Sequence, residues 1–146
     1  MKVKECMNNN VKYVSPTNTI CEVSKQMCEN HIGTILVCDD NKKVVGIVTD
    51  RDIILRSLAC DKFNKQTPIS EIMTTNIITA NSDENINEVM KKMAENQVRR
   101  IPILENNKLE GIVSIGDLIQ CNNIPDEDMN YTLERICNCE DKKNAE

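Results

Sequence analysis

Apolar residues recur along the chain in two spacings, and the order of those spacings repeats. Ile20, Val23 and Met27 stand at i, i+3 and i+7, and Ile86, Val89, Met90 and Met93 at i, i+3, i+4 and i+7, which lays one buried stripe along a helix. A capping pattern precedes each stripe. Thr19 with Glu22 three positions later forms a capping box, and Asn85 with Glu88 forms a variant of it. Helices are therefore predicted to start at these points and to end near Asn30 and Asn96. Short β-rich runs follow: TILVC (34–38) and VVGIVT (44–49), then RIPIL (100–104) and LEGIVS (109–114). DDNKK and ENNK between the runs are predicted hairpin turns, because Asp and Asn tolerate turn geometry. A second helix is predicted from about Asp50 and again from Ile115, and a brief strand in NVKYV (10–14) and in NIITA (76–80). The order β-α-β-β-α thus occurs twice.

The duplication is also visible residue by residue. Residues 6–30 lie over 72–96 at an offset of 66, matching Met7 with Met73, Ile20 with Ile86 and Met27 with Met93. Residues 44–54 lie over 109–119 at an offset of 65, so Gly46-Ile47-Val48 meets Gly111-Ile112-Val113 and Asp52 meets Asp117. The predicted fold class is α/β (α+β), with a first repeat over 1–60, a linker over 61–68 ending at Pro68, and a second repeat over 69–122. In the remaining segment, 123–146, acidic residues follow Pro125, and Met129, Leu133 and Ile136 stand at i, i+4 and i+7. A short amphipathic helix and a polar tail, frayed over its last eight or so residues, are predicted there.

Composition narrows the function classes. A formal charge of −5 argues against a general nucleic-acid surface, and Tyr13, Phe63 and Tyr131 are too few aromatics for a base-stacking platform. No 18-residue apolar run is present, and the lysine-bearing N-terminus lacks the apolar region of a signal peptide. A cytoplasmic protein with no membrane partner is predicted, and with it eight reduced cysteines. No phosphate-binding G-x-x-x-x-G-K-[ST], no G-x-G-x-x-G, no H-E-x-x-H and no histidine-based triad occurs, so no enzyme and no catalytic residue is predicted. His31 stands alone as a helix-end polar residue, and Cys137-x-Cys139 departs from the usual zinc spacing, so no metal is predicted either.

Candidate chemistry concentrates at the two strand-to-helix corners, GIVTDRD (46–52) and GIVSIGD (111–117). Free N–H groups and the macrodipole make a helix N-terminus receptive to a phosphate. Thr49 and Ser114 add a hydroxyl at the last strand position, and a carboxylate in the first turn, Asp52 or Asp117, offers two acceptor oxygens suited to the paired hydroxyls of a ribose. The plainer alternative is that each Asp only stabilises its helix dipole, an effect of about 0.3–1 kcal/mol. Four of the five arginines, Arg51, Arg56, Arg99 and Arg100, fall in or beside the repeat motifs, where guanidinium suits phosphate; solvated surface charge is the rival reading for Arg99 and Arg100.

The duplicated unit of about 55 residues and its G-h-h-[ST]-x-x-D endings resemble the cystathionine-beta-synthase (CBS) domain family over roughly residues 1–122. That resemblance implies two repeats packed through their sheets into one pseudo-two-fold module, and two modules paired as a homodimeric disc. It implies a non-catalytic regulatory role, with AMP, ADP, ATP or S-adenosylmethionine held in the cleft between repeats as a regulatory ligand and no cofactor required. The regulated target would be another protein. Carried to matching positions, Thr49 or Ser114 lies near phosphate or ribose, Asp52 or Asp117 on the ribose diol, and main-chain groups around Lys12 and Ile78 at the adenine edge. VRRIPI (98–103) resembles the family's basic segment, whereas the first repeat has Gly33 and Thr34 there, and the second has Ile115 and Gly116 in place of Asp50 and Arg51. At least one competent site is therefore expected, not necessarily two. The alternative is a ligand-free structural dimerisation module.

Overall fold

The structure is a computed structural model that describes residues 1–61, 64–121 and 124–144, with side chains to residue 138; Phe63 and the Cys139 side chain lie outside it. The chain divides into two compact units, Lys12–Ile77 and Met1–Val11 together with the residues from Ile78 onward. Each holds a three-stranded sheet, as an α/β duplication requires.

In Lys12–Ile77 the order is β1 (Tyr13–Val14), α1 (Ile20–Asn30), β2 (Thr34–Cys38), β3 (Val44–Thr49) and α2 (Asp50–Ile53). The predicted capping box starts α1: Thr19 Oγ1 accepts from Glu22 N–H at 3.1 Å and Glu22 Oε2 accepts from Thr19 N–H at 3.0 Å. His31 ends the helix in the left-handed region at φ 53°. β1 pairs parallel with β2, and β2 antiparallel with β3, placing Thr34 opposite Thr49. Val14, Ile20, Val23, Met27, Ile35, Val37 and Val48 form the core, completed by Ile69 and Ile72 from the 3₁₀ turn Ile69–Glu71 and its cap. Beyond that turn, Thr74 and Ile47 exchange both backbone hydrogen bonds, at 2.9 and 3.0 Å. The helix predicted from Asp50 differs in form, since α2 passes directly into a π-helical turn, Ile54–Leu58, that leaves Ile54, Leu55 and Leu58 exposed.

The other unit repeats the design with β4 (Ala80–Asn81), α3 (Ile86–Asn96), β5 (Arg100–Glu105), β6 (Lys108–Ser114) and α4 (Ile115–Gln120). Its hairpin closes through Asn106 and Asn107, whose φ values of 51° and 61° suit a two-residue turn. At α3 the expected box is absent; Asn85 Oδ1 instead accepts from Asn87 N–H at 2.9 Å, which an Asn at the cap accomplishes without Glu88. The core joins Ile86, Val89, Met90, Met93, Ile101, Ile103, Val113 and Leu118 with Val3, from the 3₁₀ turn Val3–Glu5. Asn8 and Ile112 exchange two backbone bonds at 2.8 and 3.0 Å, the counterpart of Thr74 and Ile47. Lys4 and Lys2 pair with Asp83 at 2.8 and 2.9 Å and hold its carboxyl down to about 2. The amphipathic helix is longer than predicted: α5 (Asp126–Asn144) buries Met129, Thr132 and Ile136.

The expectation of eight reduced cysteines is corrected at one pair, because Cys6 and Cys121, 115 positions apart in sequence, are disulfide-bonded. Both sit in the unit formed by the N-terminal segment and the second repeat, a proximity that spacing cannot show. Cys28, Cys60 and Cys137 are free and exposed, whereas burial, with Asp39 adjoining, pushes the Cys38 thiol up to about 11. Under non-denaturing alkylation with iodoacetamide near pH 8, peptide mapping is expected to find Cys28, Cys60 and Cys137 modified and Cys38 spared, because only thiolate reacts. Labelling of Cys38 at the rate of Cys28 would contradict its burial.

Candidate functional site

Each candidate corner lies where strand polarity gathers three chain segments. β1 runs parallel to β2 and antiparallel to β3, so the start of β1, the start of β2 and the end of β3 share one end of the sheet. Lys12, Thr34 and Thr49 stand there, and Ile78, Arg100 and Ser114 take the matching places in the second sheet. The register sets Thr34 opposite Thr49 and Arg100 opposite Ser114.

The corners themselves are capping boxes. Thr49 Oγ1 accepts from Asp52 N–H at 3.1 Å while Asp52 Oδ2 accepts from Thr49 N–H at 3.0 Å. Ser114 Oγ accepts from Asp117 N–H at 3.2 Å, and Asp117 Oδ2 accepts from Ser114 N–H at 2.7 Å and from its hydroxyl at 2.6 Å. Capping and ligand binding are thus compatible demands on the same carboxylate, because the cap uses one oxygen. Asp52 Oδ1 lies 3.6 Å from Arg56 Nε, and among the described residues Asp117 Oδ1 has no hydrogen-bond partner. A backbone bond ties each corner to the segment entering the central strand: Asp50 N–H to the Gly33 carbonyl and Ile115 N–H to the Arg99 carbonyl, both 3.0 Å.

Thr49 is brought together with Asp52, Ser114 with Asp117, and the Arg99 and Arg100 backbone with the second corner. Arg51 is exposed, its N–H donating to Asp50 Oδ1 at 2.8 Å. Lys12 and Ile78 share the correct sheet ends, but among the described residues no hydrogen bond joins them to the corners. The two corners differ in charge. The first holds Asp50 and Asp52, and a Cβ on Gly33 would stand 2.9 Å from Asp50 Oδ2, so Gly33 leaves room for that second carboxylate. The second has Gly116 and Ile115 in its first turn, with Arg99 and Arg100 at the adjoining strand entrance. Arg56, one of the four arginines in or beside the repeat motifs, is not one that the family resemblance carries to the site; its spacing of four from Asp52 is the signal that finds it. Among the described residues, no group of three His, Cys, Asp or Glu side chains converges as a metal ion would require, and no helix is long and apolar enough to cross a membrane.

A duplicated β-α-β-β-α unit with a hydroxyl and a carboxylate at each strand-to-helix corner defines a tandem pair of one small domain. The CBS domain profile matches residues 3–59 and 69–122, and the chain belongs to the CBS domain family. It is 40% identical over 118 residues to the uncharacterized protein YlbB of Bacillus subtilis, covering 80% of this chain and 79% of that one. A crystal structure of Hypoxic Response Protein I with two coordinated zinc ions matches with a TM-score of 0.76 at 29% identity, over 83% of this chain and 98% of that one. The CBS domain pair of protein MJ0100, solved in complex with 5′-methylthioadenosine and S-adenosyl-L-methionine, matches with a TM-score of 0.70 at 30% identity, over 84% and 95% of the two chains. CBS pairs are regulatory modules.

Proposed function

We propose that this protein is a non-catalytic sensor that binds an adenosine-containing ligand at its strand-to-helix corners and passes occupancy to a partner protein through altered packing. The carrying observation is the division of labour at Asp117: one oxygen holds the cap, and the other is left to meet a ribose diol. Thr49 and Asp52 repeat the arrangement, with Arg56 beside the second oxygen. The complex of the similar CBS pair with two adenosyl compounds supports the ligand class. Arg99 and Arg100 favour the second corner for a phosphate-bearing ligand, since the first carries the additional Asp50. Binding shifts packing only to the extent that the ligand prefers one arrangement over the other.

A thermal-shift panel of AMP, ADP, ATP, S-adenosylmethionine and NAD tests this. A ligand at about 100 times its dissociation constant stabilises the folded state by roughly 2.7 kcal/mol, which raises the midpoint of a chain of this size by about 5–11 °C. Asp117→Asn keeps a cap acceptor while turning the second oxygen into a donor, so it is expected to remove the second corner's share of the shift, and the whole shift in an Asp52→Asn background, while leaving the unliganded midpoint nearly unchanged. A second reading, a ligand-free dimerisation module, is favoured by the boxes being satisfied by protein alone and by exposed Ile54, Leu55 and Leu58, which offer apolar surface to a second copy. A panel without any shift would count against the first reading and make the corners helix caps, and a concentration-dependent dimer in sedimentation would then support the second.

A further inference from the structure

The two units tie the same two places in their fold by different chemistry. In Lys12–Ile77, the residue four beyond the corner carboxylate is Arg56, whose Nη1 donates to the Ile72 carbonyl at 3.2 Å. Ile72 caps the 3₁₀ turn Ile69–Glu71, so the corner helix is fastened to the leading segment packed beneath it. In the other unit, the residue four beyond Asp117 is Cys121, the C-cap of α4, and the residue matching Ile72 is Cys6, the cap of Val3–Glu5. These two carry the disulfide, with Cα atoms 6.4 Å apart. The Met1 sulfur lies 3.3 Å from the Cys6 sulfur and 3.4 Å from that of Cys121. A polar tie in one unit is thus a two-electron tie in its counterpart.

We propose that Cys6–Cys121 is a reversible thiol-modification site that sets the affinity of the Ser114–Asp117 corner, making the second corner redox-gated and leaving the first redox-indifferent. This rests on the reading of that corner as an adenosyl site. α4 spans Ile115–Gln120, six residues, too short to persist unless both ends are held. Its first turn is held by the Ser114 box and the Arg99 carbonyl, its middle by buried Leu118, and its end by the disulfide and the bond from Cys121 N–H to the Leu118 carbonyl. Opening the disulfide releases the end of the helix that positions the Asp117 carboxylate. Cys6 and Cys121 are half-buried, so a small disulfide has access to them. Closure consumes one low-molecular-weight disulfide: a thiolate of the pair attacks it, one thiol leaves, and the second cysteine displaces the other. The protein loses two protons and two electrons, and the co-substrate becomes two thiols.

The test uses the full chain equilibrated in glutathione buffers of varied oxidised-to-reduced ratio. Peptide mapping and the loss of about 2 Da on closure read the state of the pair. AMP and S-adenosylmethionine are then titrated calorimetrically into each form, in an Asp52→Asn background that isolates the second corner. Reduction is expected to weaken binding at least about fivefold, the lower end of ordinary coupling between sites. In Cys6→Ile with Cys121→Arg, which transplants the Arg56–Ile72 tie, affinity is expected to be the same in both buffers. A pair that never closes in oxidised glutathione, or one that closes without changing affinity, overturns the proposal while leaving the ligand site standing. Absence of binding in either state overturns the ligand reading and the gating with it. The comparison of oxidised and reduced forms of the Asp52→Asn chain needs neither cysteine variant to fold.

Discussion

Leu118→Ala is expected to lower the unfolding free energy by about 2–5 kcal/mol, the range for removing a fully buried leucine side chain. For a chain of this length the thermal midpoint falls by roughly 10 °C. Leu118 is 0% exposed and packs in one cluster with Val3, Ile101, Ile103 and Val113, whereas its neighbour Ile119 is 57% exposed. Ile119→Ala is therefore expected to stay within about 0.5 kcal/mol, as surface substitutions do. The comparison isolates burial, since both changes sit on the same short helix beside Asp117. The matching position in the first repeat, Ile53, is only half-buried, so Ile53→Ala is expected to fall between the two. Denaturant midpoints at constant m-value are the appropriate measurement. A loss below about 1 kcal/mol for Leu118→Ala would mean that α4 is not anchored by that side chain.

The same residues show what a sequence carries and what it leaves out. Helix stripes, hairpin turns and the GIVT and GIVS strand ends are local patterns, and each is found where its spacing put it, although the capping at α3 runs through Asn85 alone. Val3 and Ile69 lacked any such pattern. Each is a single apolar residue in a short turn, and each belongs to the core of the unit whose sheet comes from the other sequence repeat. That pairing is a non-local property, which periodicity cannot encode. Cys6 and Cys121 were missed for the same reason, and the inference from compartment to reduced thiols spoke to average redox state rather than to proximity. The π-helical turn at Ile54–Leu58 shares its residue types with an ordinary helix, so only coordinates distinguish it. The candidate corner was legible as chemistry but not as geometry. Thr49 with Asp52 and Ser114 with Asp117 present a hydroxyl and a carboxylate in the sequence, and the structure adds that the cap occupies one carboxylate oxygen and that Arg56 stands beside the other oxygen of Asp52.

Gly46→Val and Gly111→Val are each expected to cost about 3 kcal/mol, as overpacking of a filled site does, yet the two should differ in how they are rescued. A Cβ on Gly46 would overlap the Met73 sulfur and stand 2.8 Å from Met73 Cγ and 3.2 Å from Met73 Cβ. A Cβ on Gly111 would stand 2.7 Å from the Met7 sulfur and 3.1 Å from Met7 Cγ, but also 3.0 Å from the Asn8 carbonyl oxygen. Met7 and Met73 are matching positions, each leading into the residue pair that hydrogen-bonds to the last strand of its sheet. Methionine is flexible, so an obstacle made of methionine alone yields to truncation. Met73→Ala added to Gly46→Val exchanges volume between facing positions, and a favourable coupling of about 1–2 kcal/mol is expected in the double-mutant cycle. Met7→Ala added to Gly111→Val leaves the Asn8 oxygen in place. That oxygen accepts from Ile112 N–H at 3.0 Å, so it cannot retreat without breaking the bridge. Recovery there is expected to be less than half as large. Equal recovery in the two cycles would show that the leading segment moves freely over β6, and that the glycine serves the methionine alone in both units.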